Sequence, residues 1–440
     1  MKKIKAKNVN PSRLLLLVFL SAILIGTILL KFPFSTEEDI SWLNALFTAT
    51  SAMTVTGLVV VDTETAFTLF GEIVIVSLIQ LGGLGIMSFA VLIFMMLGKK
   101  ISFKERILVQ QALNQTSLGG VISLVKNLFI FSISIEAIAM LLLAIRWVPE
   151  MGVSKGLYYS FFHSISAFNN AGFALWSDSL MGYVGDPLVN IVITFLFIVG
   201  GLGFTVLADL KVKRKFQKLS LHTKLMLIGT LILNVVSMLF IFFLEFGNPN
   251  TLGPLSLGDK LWASYFQAVT PRTAGFNSLD IASLDDSTIH FMLLLMFVGA
   301  GSASTGGGIK LTTLVVIILA VISFLRGKDQ IMIARRSISE TVVFRSLAIS
   351  TMALMLIFMV IFILNITEDA PFLEIVFEVI SAFGTVGLSM GLTGELSEIG
   401  KVMIVLVMFI GKLGPLTMAF SLARPVKSKI RYPKEDVLTG

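Results

Sequence analysis

The sequence contains no cysteine in its 440 residues and only three histidines, His163, His222 and His290. Disulfides, thiol chemistry and thiolate metal sites are therefore excluded, and the wide spacing of the histidines argues against a histidine metal site. Charged residues are also scarce, at 14% of the chain, whereas 55% of the residues are hydrophobic and the mean hydropathy is +0.92. This composition is typical of an integral membrane protein rather than of a soluble domain.

The few charges are segregated by sign along the chain. Basic residues cluster at 2–13, 99–106, 211–224, 326–345 and 424–434, and the polar stretches between these clusters are acidic. Because basic residues beside spans mark the cytoplasmic side, all five clusters and both termini are predicted to be cytoplasmic. Nucleic-acid binding is disfavoured because each cluster lies next to an apolar run. The first apolar run is long enough to span, which favours a retained helix over a cleaved signal peptide.

The number of apolar runs between basic clusters limits the topology. Consecutive clusters are separated by about a hundred residues that contain two long apolar runs and one shorter run. If all three runs crossed the bilayer, successive clusters would lie on opposite sides, against the charge rule. The shorter run must therefore enter the membrane and return, which is permitted only where its non-helical backbone faces protein or a water-filled cavity. The sequence predicts an all-α polytopic protein with eight spans and four re-entrant helices around one pseudo-fourfold pore.

This topology gives four consecutive helix–pore-loop–helix repeats and a tail. The predicted boundaries are 1–106, 107–219, 220–336 and 337–424, with a cytoplasmic tail at 425–440. The predicted spans lie near residues 12–32, 68–97, 121–147, 187–208, 222–245, 342–365 and 399–422, with one more from 287 onward and the first re-entrant helix near 41–53. The predicted caps of the re-entrant helices are Asp39 or Ser41, Ser154, Asp259, and Asp369 followed by Pro371.

A glycine-centred run recurs once in each predicted repeat, after an aromatic-rich segment. The four copies are Val55-Thr56-Gly57-Leu58, Asn170-Ala171-Gly172-Phe173, Thr273-Ala274-Gly275-Phe276 and Thr385-Val386-Gly387-Leu388. A second glycine cluster follows each copy at a similar distance, at 82–85, 200–203, 299–302 and 411–414. Glycine is common in membrane helices, so one such run would mean little. Two motifs recurring in register indicate internal duplication.

The repeated runs have the chemistry of a cation filter. Glycine allows positive φ, so that neighbouring backbone carbonyls can point at the pore axis and replace the hydration shell of a cation. Each re-entrant helix also directs its partly negative C-terminal end at the same point. The predicted filter residues are Val55, Thr56, Gly57, Asn170, Ala171, Gly172, Thr273, Ala274, Gly275, Thr385, Val386 and Gly387, preceded by Thr54, Asn169, Arg272 and Gly384.

The last apolar run of the third repeat predicts a gate. As one helix, residues 287–325 would extend about 58 Å, nearly twice the ~30 Å hydrocarbon thickness. Their glycine-rich centre favours a broken helix with a loop at membrane depth that lies across the pore. The predicted gate residues are Gly299, Gly301, Ser302, Ser304, Thr305, Gly306, Gly307, Gly308, Lys310 and Lys412. A phosphate-binding loop is disfavoured because Lys310 follows Ile309 and precedes Leu311, without the Gly-Lys-Ser/Thr sequence.

The two lysines of the predicted gate have different positions. Lys412 occupies the place of Gly83, Gly201 and Ala300 in the other repeats, on a helix expected to line the inner pore. There it would form an electrostatic barrier or pair with the dipole of the loop. Lys310 lies at the end of the broken segment, where it is expected to extend toward the cytoplasm.

Four further polar residues fall inside predicted membrane segments. Glu378 and His163, at equivalent places in two re-entrant helices, are expected to brace those helices rather than to bind the ion. Glu136 is expected to have a hydrogen-bonding partner, with a proton or sodium relay as the alternative. Arg272 is expected to tie the third filter segment to nearby carboxylates, because a cation facing the pore would repel the permeant ion.

These motifs carry a family resemblance over nearly the whole chain. The single glycine in each filter run, the sequence from Gly299 to Lys310, and the runs 167–173, 271–276 and 381–388 resemble the Trk/Ktr/HKT potassium transporter superfamily, and most of all its KtrB-type membrane subunits. The resemblance implies K⁺ as the transported ion, held only at the filter, Na⁺ as an activator, and no cofactor on this chain. It also implies a homodimer in the bacterial plasma membrane, gated by the broken-helix loop under a cytoplasmic nucleotide-binding ring of RCK type.

Two features depart from that pattern. Family members often have arginine where this chain has Lys412, and lysine lacks the planar, multidentate hydrogen bonding of arginine. Lysine keeps the charge, but the strength of the closed barrier does not carry over from the family. Each filter run has one glycine rather than the two of potassium channels, which implies looser discrimination against Na⁺.

Two other classes of function were weighed against a pore. A secondary carrier coupling Na⁺ or H⁺ to another solute would need a roomy midplane site with acidic residues, for which Glu136 is a meagre candidate. An intramembrane enzyme is disfavoured because no pair of catalytic side chains is convincingly placed. Substitution of Gly172 or Gly275 distinguishes a pore from a carrier, since only a pore would lose ion selectivity.

Overall fold

The computed structural model describes residues 11–85, 88, 121–328, 330–333, 336–422 and 435. This part of the chain is mostly α-helical, which confirms the predicted all-α class. Its helices are α1 Pro11–Lys31, α2 Trp42–Thr54, α3 Thr63–Ala66, α4 Leu69–Leu84, α5 Val121–Met151, α6 Val153–Phe168, α7 Pro187–Leu202, α8 Phe204–Val212, α9 Leu221–Glu245, α10 Leu257–Val269, α11 Asp286–Phe297, α12 Leu311–Leu325, α13 Glu340–Thr367, α14 Phe372–Gly384, α15 Leu392–Glu395, α16 Glu398–Leu413 and α17 Pro415–Leu422.

Within these ranges, α1, α5, α9 and α13 are long and apolar enough to cross a membrane. The bent pair α7 and α8 makes a fifth candidate, while α4, α11 and α12 are shorter apolar helices. The long helices carry exposed apolar side chains, such as Phe243 at 73% and Phe358 at 68% exposure. Such surfaces require an apolar surrounding, as expected of a multi-pass membrane protein. The count of eight spans stays a prediction, because much of the run predicted at 68–97 lies outside the described residues.

The helices predicted to be re-entrant, α2, α6, α10 and α14, have 13 to 16 residues. At 1.5 Å per residue they extend about 20 to 24 Å, less than the hydrocarbon thickness. Their first residues, Trp42, Val153, Leu257 and Phe372, are between 61% and 65% exposed. Their last turns are buried, so each helix begins at the protein surface and ends in the interior.

The caps of these four helices only partly match the prediction. Ser41 caps α2 by accepting the N–H of Asn44, as predicted. The predicted cap Ser154 lies inside the first turn of α6, which begins after Gly152 with no side-chain cap. The predicted caps Asp259 and Asp369 are also wrong. Ser256 caps α10 by accepting the N–H of Asp259, and α14 begins directly after Pro371, whose ring fixes the backbone before the helix.

A sharp bend replaces the continuous span predicted at 187–208. Helices α7 and α8 meet at an angle of 91° at Gly203, which has φ 99°. The backbone N–H of Phe204 donates to Ala303 O over 2.8 Å, and a Cβ on Gly203 would lie 2.5 Å from Ser302 O. The bend therefore exists where the chain meets the glycine-rich loop, a contact that the local sequence does not reveal.

The glycine-rich segment after α11 leaves the helical conformation, as its composition predicts. Residues 298–310 form a loop between α11 and α12, and Val298 and Ile309 pair as a parallel bridge at its two ends. A short hairpin of β1 Ile331–Ile333 and β2 Arg336–Ile338, which the sequence analysis did not foresee, follows α12. The predicted repeat boundary at residue 336 falls in this hairpin. The boundary at 106 lies outside the described residues, as does the tail at 425–440 apart from residue 435.

The capping geometry of α10 gives a test. We expect Ser256→Ala to destabilise the protein by about 0.5–2 kcal/mol, because the N–H of Asp259 loses its acceptor. Ser154→Ala, at the position predicted from sequence, should leave stability unchanged because Ser154 caps no helix. Thermal unfolding of the two variants in detergent measures the difference. Equal melting temperatures would contradict the capping role of Ser256.

Candidate functional site

The four glycine-centred runs adopt one backbone pattern at the buried ends of α2, α6, α10 and α14. The residue two places before each glycine is left-handed, at Val55, Asn170, Thr273 and Thr385, with φ between 50° and 70°. The glycines Gly57, Gly172, Gly275 and Gly387 also have positive φ, between 70° and 92°. Left-handed residues that are not glycine are strained. Four copies in register therefore indicate a shared requirement for this turn.

The four glycines close a ring. A Cβ placed on Gly57 would lie 3.1 Å from Gly172 Cα, and one on Gly172 would lie 2.8 Å from Gly275 Cα. A Cβ on Gly275 would lie 3.4 Å from Gly387 Cα, and one on Gly387 would lie 3.0 Å from Gly57 Cα. The chain order of the runs is thus their order around the ring, and no side chain at these glycines fits without displacing backbone.

A carbonyl oxygen lies beside each glycine of this ring. For Gly57, Gly275 and Gly387 the atom nearest to an added Cβ is the carbonyl oxygen of the residue before a neighbouring glycine, and for Gly172 it is the second nearest. These oxygens belong to Ala171, Ala274, Val386 and Thr56. The ring therefore brings four backbone acceptors close to four glycines. No group of three or more histidine or acidic residues that could hold a metal occurs in the described residues.

Hydroxyl groups on the last turns of the four helices support the runs. Ser51 and Ser381 each accept the N–H of their glycine, Gly57 and Gly387, over 3.1 Å. In the other two runs Ser166 and Thr270 donate to the carbonyls of Phe173 and Phe276. The sequence analysis missed these four residues, although a serine or threonine five or six places before each glycine was a visible signal.

The second glycine cluster of each repeat has a packing role. A Cβ on Gly82, Gly200 or Gly411 would overlap a backbone carbonyl of Met53, Phe168 or Phe383, respectively. Each of these carbonyls belongs to the residue two places before a left-handed residue. The glycines therefore let α4, α7 and α16 lie directly against the C-terminal ends of α2, α6 and α14, which fixes the position of the turns.

The loop at 298–310 contacts the turns on the side of their left-handed residues. Thr305 Oγ1 donates to Asn170 Oδ1 over 2.7 Å, and the Gly307 N–H donates to Thr385 Oγ1 over 2.8 Å. A Cβ on Gly306 would overlap Thr273 Oγ1. The loop thus meets three of the four turns, and the residues predicted as a gate lie next to those predicted as a filter.

Both predicted gate lysines bind carbonyls of this loop. Lys310 Nζ donates to Gly306 O over 2.7 Å and to Gly307 O over 3.2 Å. Lys412 Nζ, from α16, donates to Thr305 O. For Lys412 the structure shows the predicted alternative of pairing with the loop. For Lys310 it shows a contact with the loop in place of the predicted extension toward the cytoplasm.

The remaining residues predicted as a gate have different surroundings within the loop. Gly301 N–H donates to Gly201 O over 2.8 Å, and Ser302 O faces Gly203 at the bend. Ser304 Oγ is buried and has no hydrogen-bond partner in the described part of the chain. Gly299 and Gly308 pack against each other, since a Cβ on Gly299 would lie 3.3 Å from Gly308 Cα.

The other polar residues singled out from sequence lie behind the turns. His163 accepts the N–H of Leu175 over 3.2 Å, and Glu378 accepts hydroxyls of Ser389 and Thr393, which fits bracing of the chain after the filter runs. The prediction for Arg272 is wrong. Its guanidinium donates to Asn234 Oδ1 and Thr230 Oγ1 on α9, and no carboxylate in the described ranges is within ion-pair distance.

The chain is similar to known cation transport proteins over nearly its whole length. Residues 17–430 match a family model described as TrkH, cation transport protein. The chain is 62% identical over its whole length to the Ktr system potassium uptake protein B of Bacillus subtilis, of which it covers 99%, and 46% identical to that of Vibrio alginolyticus, of which it covers 97%. The crystal structure of the potassium transporter TrkH of Vibrio parahaemolyticus superposes with a TM-score of 0.76 at 19% identity, over 96% of this chain and 87% of that one.

The close packing at the glycines predicts a reversed effect of alanine. In a helix, Gly→Ala normally stabilises by about 0.5–1 kcal/mol. Gly200→Ala should instead destabilise, by about 1–3 kcal/mol or more, because its Cβ meets the carbonyl of Phe168. Gly394→Ala, in α15 with nothing within 4 Å of the new Cβ, is the matched control. Folded yield and melting temperature in detergent measure both, and a Gly200→Ala protein as stable as the control would contradict the packing.

Proposed function

Because this chain belongs to the TrkH family of cation transport proteins, a family of ion transporters and not of enzymes, we propose that it is the pore subunit of a potassium uptake system. The observation that carries the proposal is the ring of four glycines and four carbonyl oxygens. The names of its two Ktr relatives, potassium uptake proteins, agree with this ion.

The ring has the polarity that a cation requires. A K⁺ ion entering it exchanges water for the carbonyl oxygens of Thr56, Ala171, Ala274 and Val386. The C-terminal ends of α2, α6, α10 and α14 point at the same place and add partial negative charge. An anion would meet oxygen atoms and helix C-termini only. The filter is thus built from backbone, and the role of the side chains is to hold it.

The loop at 298–310 acts as the gate in this proposal. It lies against Asn170, Thr273 and Thr385 on one side of the ring, where it obstructs an ion that has passed the carbonyls. The two ammonium groups of Lys310 and Lys412 hold the loop carbonyls and oppose a cation at the same level. Opening requires that the loop release these contacts and move aside.

Further parts of the proposal rest on the family resemblance. The protein is a homodimer in the bacterial plasma membrane, with cytoplasmic termini and one pore in each protomer. A cytoplasmic ring of RCK-type subunits binds nucleotide and controls the loop, while this chain itself holds no cofactor. Sodium stimulates uptake, in keeping with the name of another relative, the potassium/sodium uptake protein NtpJ of Enterococcus hirae, which is 37% identical to this chain.

Ion competition tests the filter. In proteoliposomes, uptake of radiolabelled Rb⁺ should be inhibited by K⁺ far better than by Na⁺. Gly275→Ser should reduce this preference by about tenfold, equivalent to about 1.4 kcal/mol, because its Cβ displaces the carbonyl of Val386. Gly394→Ser, in open space, should retain the preference. Unchanged discrimination in folded Gly275→Ser protein would favour a secondary carrier of another solute over a pore.

A lysine pair on α16 tests the gate. Lys412→Met removes the charge that holds Thr305 O and should raise basal Rb⁺ uptake in the absence of any regulatory subunit, by about tenfold or more, because a hydrogen bond to a charged group contributes about 1.5–3 kcal/mol. Lys401→Met is the control, because Lys401 binds Asn44 Oδ1 away from the loop. Equal uptake by the two variants would show that Lys412 does not restrain the gate.

A further inference from the structure

A chain of buried polar side chains lies directly behind the second filter run. Glu136 on α5 is 7% exposed and accepts the hydroxyl of Ser132 over 2.8 Å and the amide Nε2 of Gln80 on α4 over 3.1 and 3.2 Å. Gln80 Oε1 in turn accepts Asn169 Nδ2 over 2.6 Å. Asn169 precedes the left-handed residue Asn170, so the chain runs from a membrane helix to the filter.

The carboxylate decides the orientation of the two amides. A glutamine amide can present either its oxygen or its nitrogen to a neighbour, and the two ends have nearly the same shape. Both carboxyl oxygens of Glu136 accept hydrogen bonds, from Ser132 and from Nε2 of Gln80, which leaves Oε1 of Gln80 to accept from Asn169. Asn169 must then donate through Nδ2. Asn169 Nδ2 also lies within hydrogen-bond distance of Glu136 Oε1, at 3.5 Å, so Glu136 sets the order of donors and acceptors both directly and through Gln80.

Asn169 has little room for any other position. A Cβ on Gly83 would overlap Asn169 Oδ1, so this amide occupies the space that a side chain at residue 83 would fill. Nδ2 also donates to Ile165 O over 2.9 Å, within its own helix. A reversed amide at Asn169 would lose the bond to Gln80 and place its nitrogen against Gly83. The residue would then shift, and the neighbouring Asn170 with it.

We infer that Glu136, Gln80 and Asn169 form a positioning relay that holds the second filter run in register with the other three and thereby contributes to K⁺ over Na⁺ selectivity. This inference rests on the proposed pore function. Glu136 is a positioning residue, since it does not touch the ring of carbonyls. The relay joins α4, α5 and α6, so that two membrane helices determine the place of one carbonyl in the ring.

Three variants of the full-length protein test the relay in the Rb⁺ competition assay. Glu136→Gln keeps the shape of the side chain but can turn either end toward Gln80, so selectivity should fall by about threefold or more. The double variant Gln80→Glu with Glu136→Gln exchanges the places of the carboxylate and the amide. The carboxylate at position 80 then accepts from Asn169 Nδ2, and the amide at position 136 donates to that carboxylate. Selectivity should therefore recover. Glu245→Gln is the matched control, because Glu245 is also buried. It accepts hydrogen bonds from the amide of Asn248, the hydroxyl of Thr251 and the backbone N–H of Asp285.

The outcomes separate the relay from general stability. Glu136→Gln and Glu245→Gln should both lower the melting temperature, but only the former should lose selectivity. Full selectivity in Glu136→Gln, or a double variant no better than the single one, would overturn the relay. If Glu136→Gln does not fold, Gln80→Leu interrupts the same chain and is measured in its place, with the same expectation. Absence of K⁺ preference in the unmodified protein would instead contradict the proposed function.

Discussion

A backbone that leaves the helical conformation inside a membrane must find partners for its N–H groups within the protein. The four filter runs meet this requirement with their own helices. In the first run the N–H of Thr56 donates to Ser51 O and that of Gly57 to Ser51 Oγ. Because these donors turn back to the helix, they are not available to the neighbouring runs, and the carbonyls of the residues before the glycines lie beside the next glycine of the ring. This division of donors and acceptors is what the proposed cation site depends on.

The same requirement explains the loop at 298–310. Its donors are satisfied by neighbours, such as Gly201 O and Thr385 Oγ1, and its carbonyls at 305–307 by two lysines. The loop is therefore held by hydrogen bonds from neighbouring backbone and side chains rather than by a helical ladder of its own.

The sequence predicted those features that depend on local chemistry. Glycine marked both the turns and the surfaces that pack on them, because it adopts positive φ without a steric cost and, having no Cβ, allows such close approach. Features that depend on contacts between distant parts of the chain were not predicted from the sequence. The bend at Gly203 is stabilised by Ala303 from another repeat, and Arg272 finds its partners on α9 rather than on a carboxylate. The cap of α10 was misplaced because Ser256 and Asp259 are both good caps, and only the backbone at residue 256 distinguishes them.

The four runs differ most at the residue before the left-handed position, and this difference shows how one chain departs from fourfold symmetry. Thr54 Oγ1 bonds within its own run to Thr56 Oγ1 over 2.7 Å, whereas Asn169 and Arg272 reach other helices. Gly384 has no side chain, and its Cα faces Met296 O just before the loop, where a Cβ would lie at 2.5 Å. A protein made of four identical subunits could not anchor its runs in four ways. Here the fourth run lies directly on α11, the helix that leads into the loop at 298–310, so this contact joins the loop to one side of the ring.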